Sequence, residues 1–380
     1  MRIAFYAPLK PPTHGTPSGD RRVAGLLIDA LTHAGQRVEL VSTFRSFDGD
    51  GDGERQEALR AQGEGLAQRL VDQWLAAPPD ARPQVWFTYH LYYKAPDWLG
   101  PAVSAALGIP YVVAEPSFAP KRAEGPWALG HRATEAAIRT ARLVFCPTRD
   151  DVACVAGLVA KERIVLLPPF LDVEHYRAAQ ARRAAHRAKL AAELGLDTEA
   201  PWIVVAAMMR EGDKLASYRA LAEALARLQD LPWRLVVAGD GAARVQVEGA
   251  LESAVPGRAC FLGTLAQRRL AEVYAACDLM AWPAVNEAYG MALLEAQAAG
   301  VPIASCALRG VPDVVVDGRT GLLAPAGDMA ALAAHIRTLL VHAERRRALG
   351  AAAAQFVQAE RSLEAGARKL GAALNALGAG

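Results

Sequence analysis

Short apolar strand candidates alternate with amphipathic helical stretches along most of the chain, and the alternation runs twice. The first run reads RIAFYAP, RVELVS, QVWFTY, PYVVAE, RLVFCP and RIVLLPP. The second starts after residue 200 and reads WIVVAAM, RLVVAGDG, ACFLG, LMAWP, VPIASC and GLLAP. Apolar runs this short, separated by stretches of helical period, suit parallel strands joined by crossover helices. The pattern predicts two doubly wound α/β domains in tandem, joined between Pro168 and Gly195, followed by an Ala-rich helical region from Met329 onward. A length of 380 residues agrees, being too great for one ordinary core and suited to two domains of about 150 to 200 residues.

Charge and cysteine usage narrow the function classes. A net charge of +2 gives no general attraction to nucleic acid. Five cysteines without a CxxC pair favour reduced thiols in the cytoplasm over a disulfide framework or a zinc site. The opening MRIAFYAPL reads as a strand rather than a signal peptide, and no apolar run reaches the length of a membrane span. One stretch, RAAQARRAAHRAKL from residue 177, is locally very basic. It reads as a solvated connector, and the functional alternatives are peripheral contact with anionic lipid at the inner membrane face or contact with a phosphorylated acceptor.

Ligands of open α/β sheets sit at the carboxyl ends of strands, so residues just after strands carry most information. The stretch NEAYGMALLEAQAAGVP, residues 286–302, places Glu287 and Glu295 eight positions apart. On one continuous helix that spacing spans about 12 Å and leaves the two side chains about 80° apart, so both would face one cleft. A helix starting near Tyr289 or Gly290 would add backbone N–H groups between them, which favour an anion. A ligand with hydroxyls at both ends and negative charge between, such as a nucleotide sugar, fits this pattern.

The longer stretch PAVNEAYGMALLEAQAAGVPIASCALRGVPDVVVDGRTGLLAPAGD resembles the donor-binding segment of retaining glycosyltransferases of family 4. These share the GT-B fold, two Rossmann-like domains facing across a cleft with a C-terminal helix crossing back. The family's spacing of two glutamates, its Gly-Xaa-Pro turn and its Gly-Leu-Leu strand end occur here in order; Ala288-Tyr289 stands where Gly-Phe is usual. The resemblance implies a domain of residues 1–170, a linker of 171–194 and a nucleotide-sugar domain of 195–358. A last helix, about 360–380, would return to the first domain. It also implies that Arg210 and Lys214 neutralise the donor diphosphate and that Glu287 holds sugar hydroxyls. Glu295 would hold the ribose, the backbone of Ala288, Tyr289, Gly290 and Met291 would meet phosphate and sugar, and the turns at Gly239, Gly263 and Leu265 would approach the nucleotide.

In the first domain, Gly15 and Gly19 match the family's N-terminal glycine loop, and their spacing is not that of a dinucleotide fingerprint. His90 and Glu115 follow strands and are candidates at the reacting centre. Glu115 stands where the family commonly has histidine, so a histidine-specific role does not transfer. The resemblance implies metal-independent retaining transfer of a hexose-type sugar, with the nucleotide diphosphate sugar as co-substrate and no bound cofactor. DGDGDGE, residues 48–54, lacks the twelfth-position ligand of a calcium loop and reads as a solvated loop. Acceptor recognition falls to first-domain loops such as 43–60 and 117–130. A glycan, a lipid carrier and a small metabolite are all open as the acceptor. An epimerase on the same fold and a non-catalytic nucleotide-sugar binder are the rival readings.

Overall fold

The computed structural model describes residues 1–15 and 18–378. Part of the expected glycine loop, residues 16 and 17, and the last two positions of the expected C-terminal helix lie outside the described residues. The chain divides into two compact units, Met1–Pro168 with Leu363–Gly380, and Pro169–Ser362.

The first unit holds six strands: β1 (Arg2–Tyr6), β2 (Arg37–Ser42), β3 (Val85–Leu91), β4 (Tyr111–Pro116), β5 (Leu143–Cys146) and β6 (Ile164–Leu166). They form one parallel sheet in the order β2-β1-β3-β4-β5-β6. Its helices are α1 (Gly19–His33), α2 (Gly53–Ala76), α3 (Gly100–Leu107), α4 (Ala128–Thr140) and α5 (Arg149–Val155). Residues alternating along β3 point to opposite faces, and both faces are filled. Phe87 stacks between Phe5 and Phe145, with ring centroids 5.6 and 6.0 Å away, while Trp86 meets Tyr6 and Trp74 edge-on. A strand covered on both faces needs apolar side chains throughout, which is why VWFTYHL reads as a continuous run.

The second unit begins with α6 (Glu174–Ala181) and α7 (Arg183–Leu194). Its strands are β7 (Trp202–Ala206), β8 (Arg234–Ala238), β9 (Ala259–Gly263), β10 (Leu279–Trp282), β11 (Ile303–Ala307) and β12 (Gly321–Pro325). These build a parallel sheet in the order β12-β11-β10-β7-β8-β9. Between and after them lie α8 (Asp213–Ala226), α9 (Arg244–Ala254), α10 (Gln267–Ala276), α11 (Met291–Ala298), α12 (Val311–Val314), α13 (Met329–Val341) and α14 (Ala343–Glu360). The last helix, α15 (Leu363–Gly378), packs on α1 in the first unit. All twelve strands fall where the apolar runs predict them.

Two expectations need correction. Residues 171–194, expected as a linker, fold as α6 and α7 of the second unit. Their arginines explain why. Arg183 donates to the carbonyls of Ala275 and Cys277, and Arg187 to those of Ala276, Thr198 and Ala200. The end of α10 leaves carbonyls without intrahelical partners, and these guanidinium groups satisfy them. Both arginines also pair with the nearly buried carboxylate of Asp278, at 2.8 and 3.0 Å, and Asp278 accepts the Trp202 N–H at 2.8 Å. The basic stretch is therefore largely internal structure, leaving Arg177, Arg182 and Lys189 as its more exposed cations. The second correction concerns Asp48, which is buried rather than solvated. Its carboxylate accepts from the N–H groups of Asp50 and Gly51 and from Gln56, fixing the turn before α2. Among the described residues no helix is long and apolar enough to cross a membrane.

Candidate functional site

A doubly wound sheet has one point where successive strands depart in opposite directions, leaving a crevice at their carboxyl ends. In the second unit that point lies between β7 and β10. β7 leads through residues 207–212 to α8, which begins at Asp213; β10 leads through residues 283–290 to α11. The two connections meet there. Lys214, on the first turn of α8, forms an ion pair with Glu287, with side chains 17% and 19% exposed. The Lys214 ammonium also lies 5.6 Å from the centre of the Trp282 ring at the end of β10. A second bridge runs from the Asn286 amide to Asp213 at 2.8 Å, and a third from the Val285 N–H to Ser217 at 3.0 Å.

The connection that carries Glu287 is held in an uncommon backbone shape. Ala284 and Asn286 both have left-handed φ, 58° and 52°. For non-glycine residues this conformation costs about 1 kcal/mol or more and persists where surrounding contacts fix it. Gly290, the N-cap of α11, has φ 75°, and an added Cβ would lie 3.0 Å from the Leu293 side chain. Glycine there lets α11 start at once: the Leu293 N–H bonds back to the Gly290 carbonyl at 2.9 Å, and the N–H groups of Met291 and Ala292 have no partner within the helix.

This start corrects the helical spacing argument. Only Glu295 lies on α11; Glu287 belongs to the preceding loop, so the two carboxylates are not disposed as on a continuous helix. Glu295 is 4% exposed and lies 3.4 Å from the Tyr274 hydroxyl. Ala288 is exposed, whereas Tyr289, Met291 and Ala292 are half-buried against the unit's core. Arg210 stands exposed on the connection after β7, four residues before Lys214, and its carbonyl accepts from Leu215.

The neighbouring strand ends are stitched to that connection. Ala207 donates to Ala238, Met209 to Asp240, and Gly239 to Gly263. Gly239 and Gly241 have φ of 141° and 149°, and a Cβ on either would fall 1.9 and 2.3 Å from the carbonyl oxygens of Ala207 and Met209. Only glycine permits this crossing, which draws the turn after β8 onto the Arg210 connection. Leu265, after β9, packs against the core. In the second unit the structure thus joins Lys214 to Glu287 and Gly239 to Gly263, and leaves Glu295 buried in α11 beside Tyr274.

The first unit's switch point lies between β1 and β3. It too brings titratable side chains together. Asp20, in the first turn of α1, has Oδ1 3.1 Å from Nδ1 of His90 near the end of β3. The same nitrogen is 3.7 Å from Oε1 of Glu115 near the end of the adjacent β4. His90 and Glu115 are each 20% exposed as side chains, and both have left-handed backbones, φ 58° and 55°. Tyr89 and Tyr92 flank the imidazole at 5.7 and 5.4 Å. Burial opposes a charge on His90, but Glu115, Asp20 and the more remote Asp151 outweigh it and raise its pKa above the ordinary 6.5. Burial raises the Glu115 pKa, with Asp151 and Asp20 adding to it and His90 opposing. Contact with His90 lowers the Asp20 pKa despite its burial.

Gly15 and Gly19 play no such steric part. A Cβ on either would meet nothing within 4 Å, and α1 is capped by Ser18, whose hydroxyl accepts from Arg21. The partner roles of Asp20, Asp151 and Trp282 were not read from sequence. Asp20 had a signal, an acid in the first turn after a serine cap; Asp151 had none, because its effect on His90 depends on the fold.

Comparison with known proteins adds three findings. Residues 201–356 match the family model of glycosyl transferases group 1. The D-inositol 3-phosphate glycosyltransferase of Nocardia farcinica is 34% identical over 199 residues, 50% of this chain and 42% of that protein. The chain spans about half the length of the curated relatives it matches. Among solved structures, sucrose-phosphate synthase from Thermosynechococcus elongatus aligns with TM-score 0.71 and 20% identity over 100% of this chain and 99% of that one. Anabaena HepE in complex with UDP aligns with TM-score 0.74 and 17% identity over 99% of this chain and 100% of that one. The second unit's residues 201–356 thus match glycosyl transferases group 1, and the chain as a whole has the two-sheet GT-B fold.

Proposed function

We propose that the protein is a retaining, metal-independent glycosyltransferase. It moves a hexose-type sugar from a nucleoside diphosphate sugar to a hydroxyl of a glycan, a lipid carrier or a small metabolite. The observation that carries this reading is the Lys214–Glu287 pair at the switch point of the second sheet, with Arg210 four residues before Lys214 and the glycine start of α11 three residues after Glu287. It is the arrangement a sugar diphosphate needs, with cations for the phosphates and a carboxylate for hydroxyls a few ångströms away.

In this reading Arg210, Lys214 and the first N–H groups of α11 take the diphosphate. Glu287 accepts from hydroxyls of the donor sugar, the backbone of Ala288 to Met291 lines phosphate and sugar, and Glu295 takes the ribose. The turns at Gly239, Gly263 and Leu265 approach the base. During transfer the bond from the anomeric carbon to the phosphate oxygen breaks, and that oxygen gains charge which the two cations stabilise. The acceptor oxygen bonds to the anomeric carbon on the same face, and its proton passes to the leaving phosphate. The first unit's cluster of His90, Asp20 and Glu115 offers carboxylate acceptors and an imidazole to hydroxyls of a substrate. The HepE complex with UDP makes uridine diphosphate the first nucleotide to try. Five unpaired cysteines support a reducing, cytoplasmic setting. A peripheral membrane contact would draw on Arg177, Arg182 and Lys189.

The test is thermal stabilisation by a panel of nucleoside diphosphates and nucleotide sugars, since a ligand that binds only the folded state raises the melting temperature. Selective stabilisation by one base, abolished in Arg210→Gln/Lys214→Gln, is expected. Silence from every nucleotide in folded protein would refute the donor site. Release of an altered free sugar without acceptor would replace transfer with epimerisation.

A further inference from the structure

The first unit contains a second cluster that the proposed reaction does not use. Arg122, at the end of a short 3-10 turn (Pro120–Arg122), lies over two rings, 5.1 Å from the centre of Trp127 and 5.5 Å from that of Tyr93. Lys94 lies 4.5 Å from the centre of the same Trp127 ring. The shared ring bounds the separation of the two cations at about 10 Å. Among the described residues neither cation has a carboxylate partner. The Arg122 side chain makes no hydrogen bond among the described residues, and its Nε is buried without one. Lys94 gives one N–H to the Gly49 carbonyl at 2.9 Å, leaving two. The neighbouring carboxylate, Asp48, turns toward Asp50, Gly51 and Gln56.

The frame around these cations is fixed. Trp127 donates to the Asp48 carbonyl at 3.3 Å, Asp48 donates to the Lys94 carbonyl at 2.8 Å, and Gln56 donates to the Pro126 carbonyl at 2.8 Å. Tyr93 meets Trp127 edge-on at 5.7 Å, and through Tyr92 the rings run back to His90. Stacking orients a guanidinium without neutralising it. Two half-buried cations positioned this way, with no internal counter-charge, match the two negative charges of a phosphate monoester better than the one of a carboxylate.

We propose that Arg122 and Lys94, held against Tyr93 and Trp127, form an oxyanion subsite that takes a phosphate monoester on the acceptor. This deepens the transferase reading and rests on the first unit's binding the acceptor, which the ring path to His90 supports. The acceptor is then a phosphorylated sugar or polyol.

Indole N–H resonances separate this subsite from the donor site, because Trp127 reports on Arg122 and Lys94 while Trp282 reports on Lys214. The probes are inorganic phosphate, with acetate at matched ionic strength, and UDP. Phosphate is expected to shift the Trp127 resonance saturably, acetate to leave it in place, and Arg122→Gln or Lys94→Gln to weaken phosphate binding about tenfold each. If Arg122→Gln disturbs the Trp127 resonance before titration, Arg122→Lys, which keeps the charge, must retain binding. A silent Trp127, an equal response to acetate, or unchanged affinity in both glutamine variants overturns the subsite. A silent Trp282 with UDP instead counts against the donor site, whatever Trp127 does.

Discussion

Replacing Glu287 by glutamine should move donor-product affinity and turnover in opposite directions. The Lys214 ammonium is engaged by Glu287, and both side chains are more than four-fifths covered. A nucleoside diphosphate must compete for that ammonium. Contact at about 3–4 Å corresponds to about 4 kcal/mol of gross attraction at an effective dielectric of about 20. Desolvation of the two groups removes more than half, leaving about 1–2 kcal/mol. Glu287→Gln keeps shape and hydrogen-bonding capacity but releases Lys214, so the nucleoside diphosphate should bind about 5- to 30-fold tighter. Turnover should fall about a hundredfold, because the charged acceptor for the sugar hydroxyls is lost where binding energy is used in the transition state. Calorimetric titration with the nucleotide that stabilises the protein, beside initial rates of transfer, measures both. Unchanged or weaker nucleotide binding in Glu287→Gln would refute the competition, and an unchanged rate would remove Glu287 from the sugar site.

Two further outcomes follow from charge placement. Asp278→Ala leaves Arg183 and Arg187 without their shared carboxylate and the Trp202 N–H without its acceptor. It should cost about 3–5 kcal/mol in denaturant unfolding, and a loss below about 1 kcal/mol would show that the carbonyl contacts suffice. Because the His90 pKa is raised on folding, the stability it contributes is fully present below the unfolded value of about 6.5 and is lost as pH rises through the folded value. The melting-temperature advantage of wild type over His90→Gln should therefore shrink from about pH 5 to about pH 9; an advantage that grows with pH would reverse the assignment.

The strands were legible because each is covered on both faces, and that demand appears locally as an unbroken apolar run. The glycine at 290 and the acid at 287 were legible for a similar reason, since helix starts write their chemistry within a few residues. What the chain could not declare locally was pairing. Lys214 and Glu287 are 73 positions apart and Arg183 and Asp278 are 95 apart, so a cation that reads as solvent-facing becomes a helix-end partner only once the sheet brings its carbonyls close. The left-handed backbones of His90 and Glu115 were equally hidden, because neither residue type announces positive φ. The eight-residue spacing misled by assuming one continuous helix, when Gly290 begins a new one.

The packing of α15 on α1 sets an order of events during synthesis. The second unit's whole sequence, Pro169–Ser362, emerges from the ribosome before the helix that completes the first unit. The first sheet must wait through almost two hundred residues with the face of α1 uncovered, while the later-made unit can already close its own core. Maturation should thus run against the direction of translation, and a nascent chain halted after Ser362 should resist proteolysis in its second unit while α1 is still cleaved.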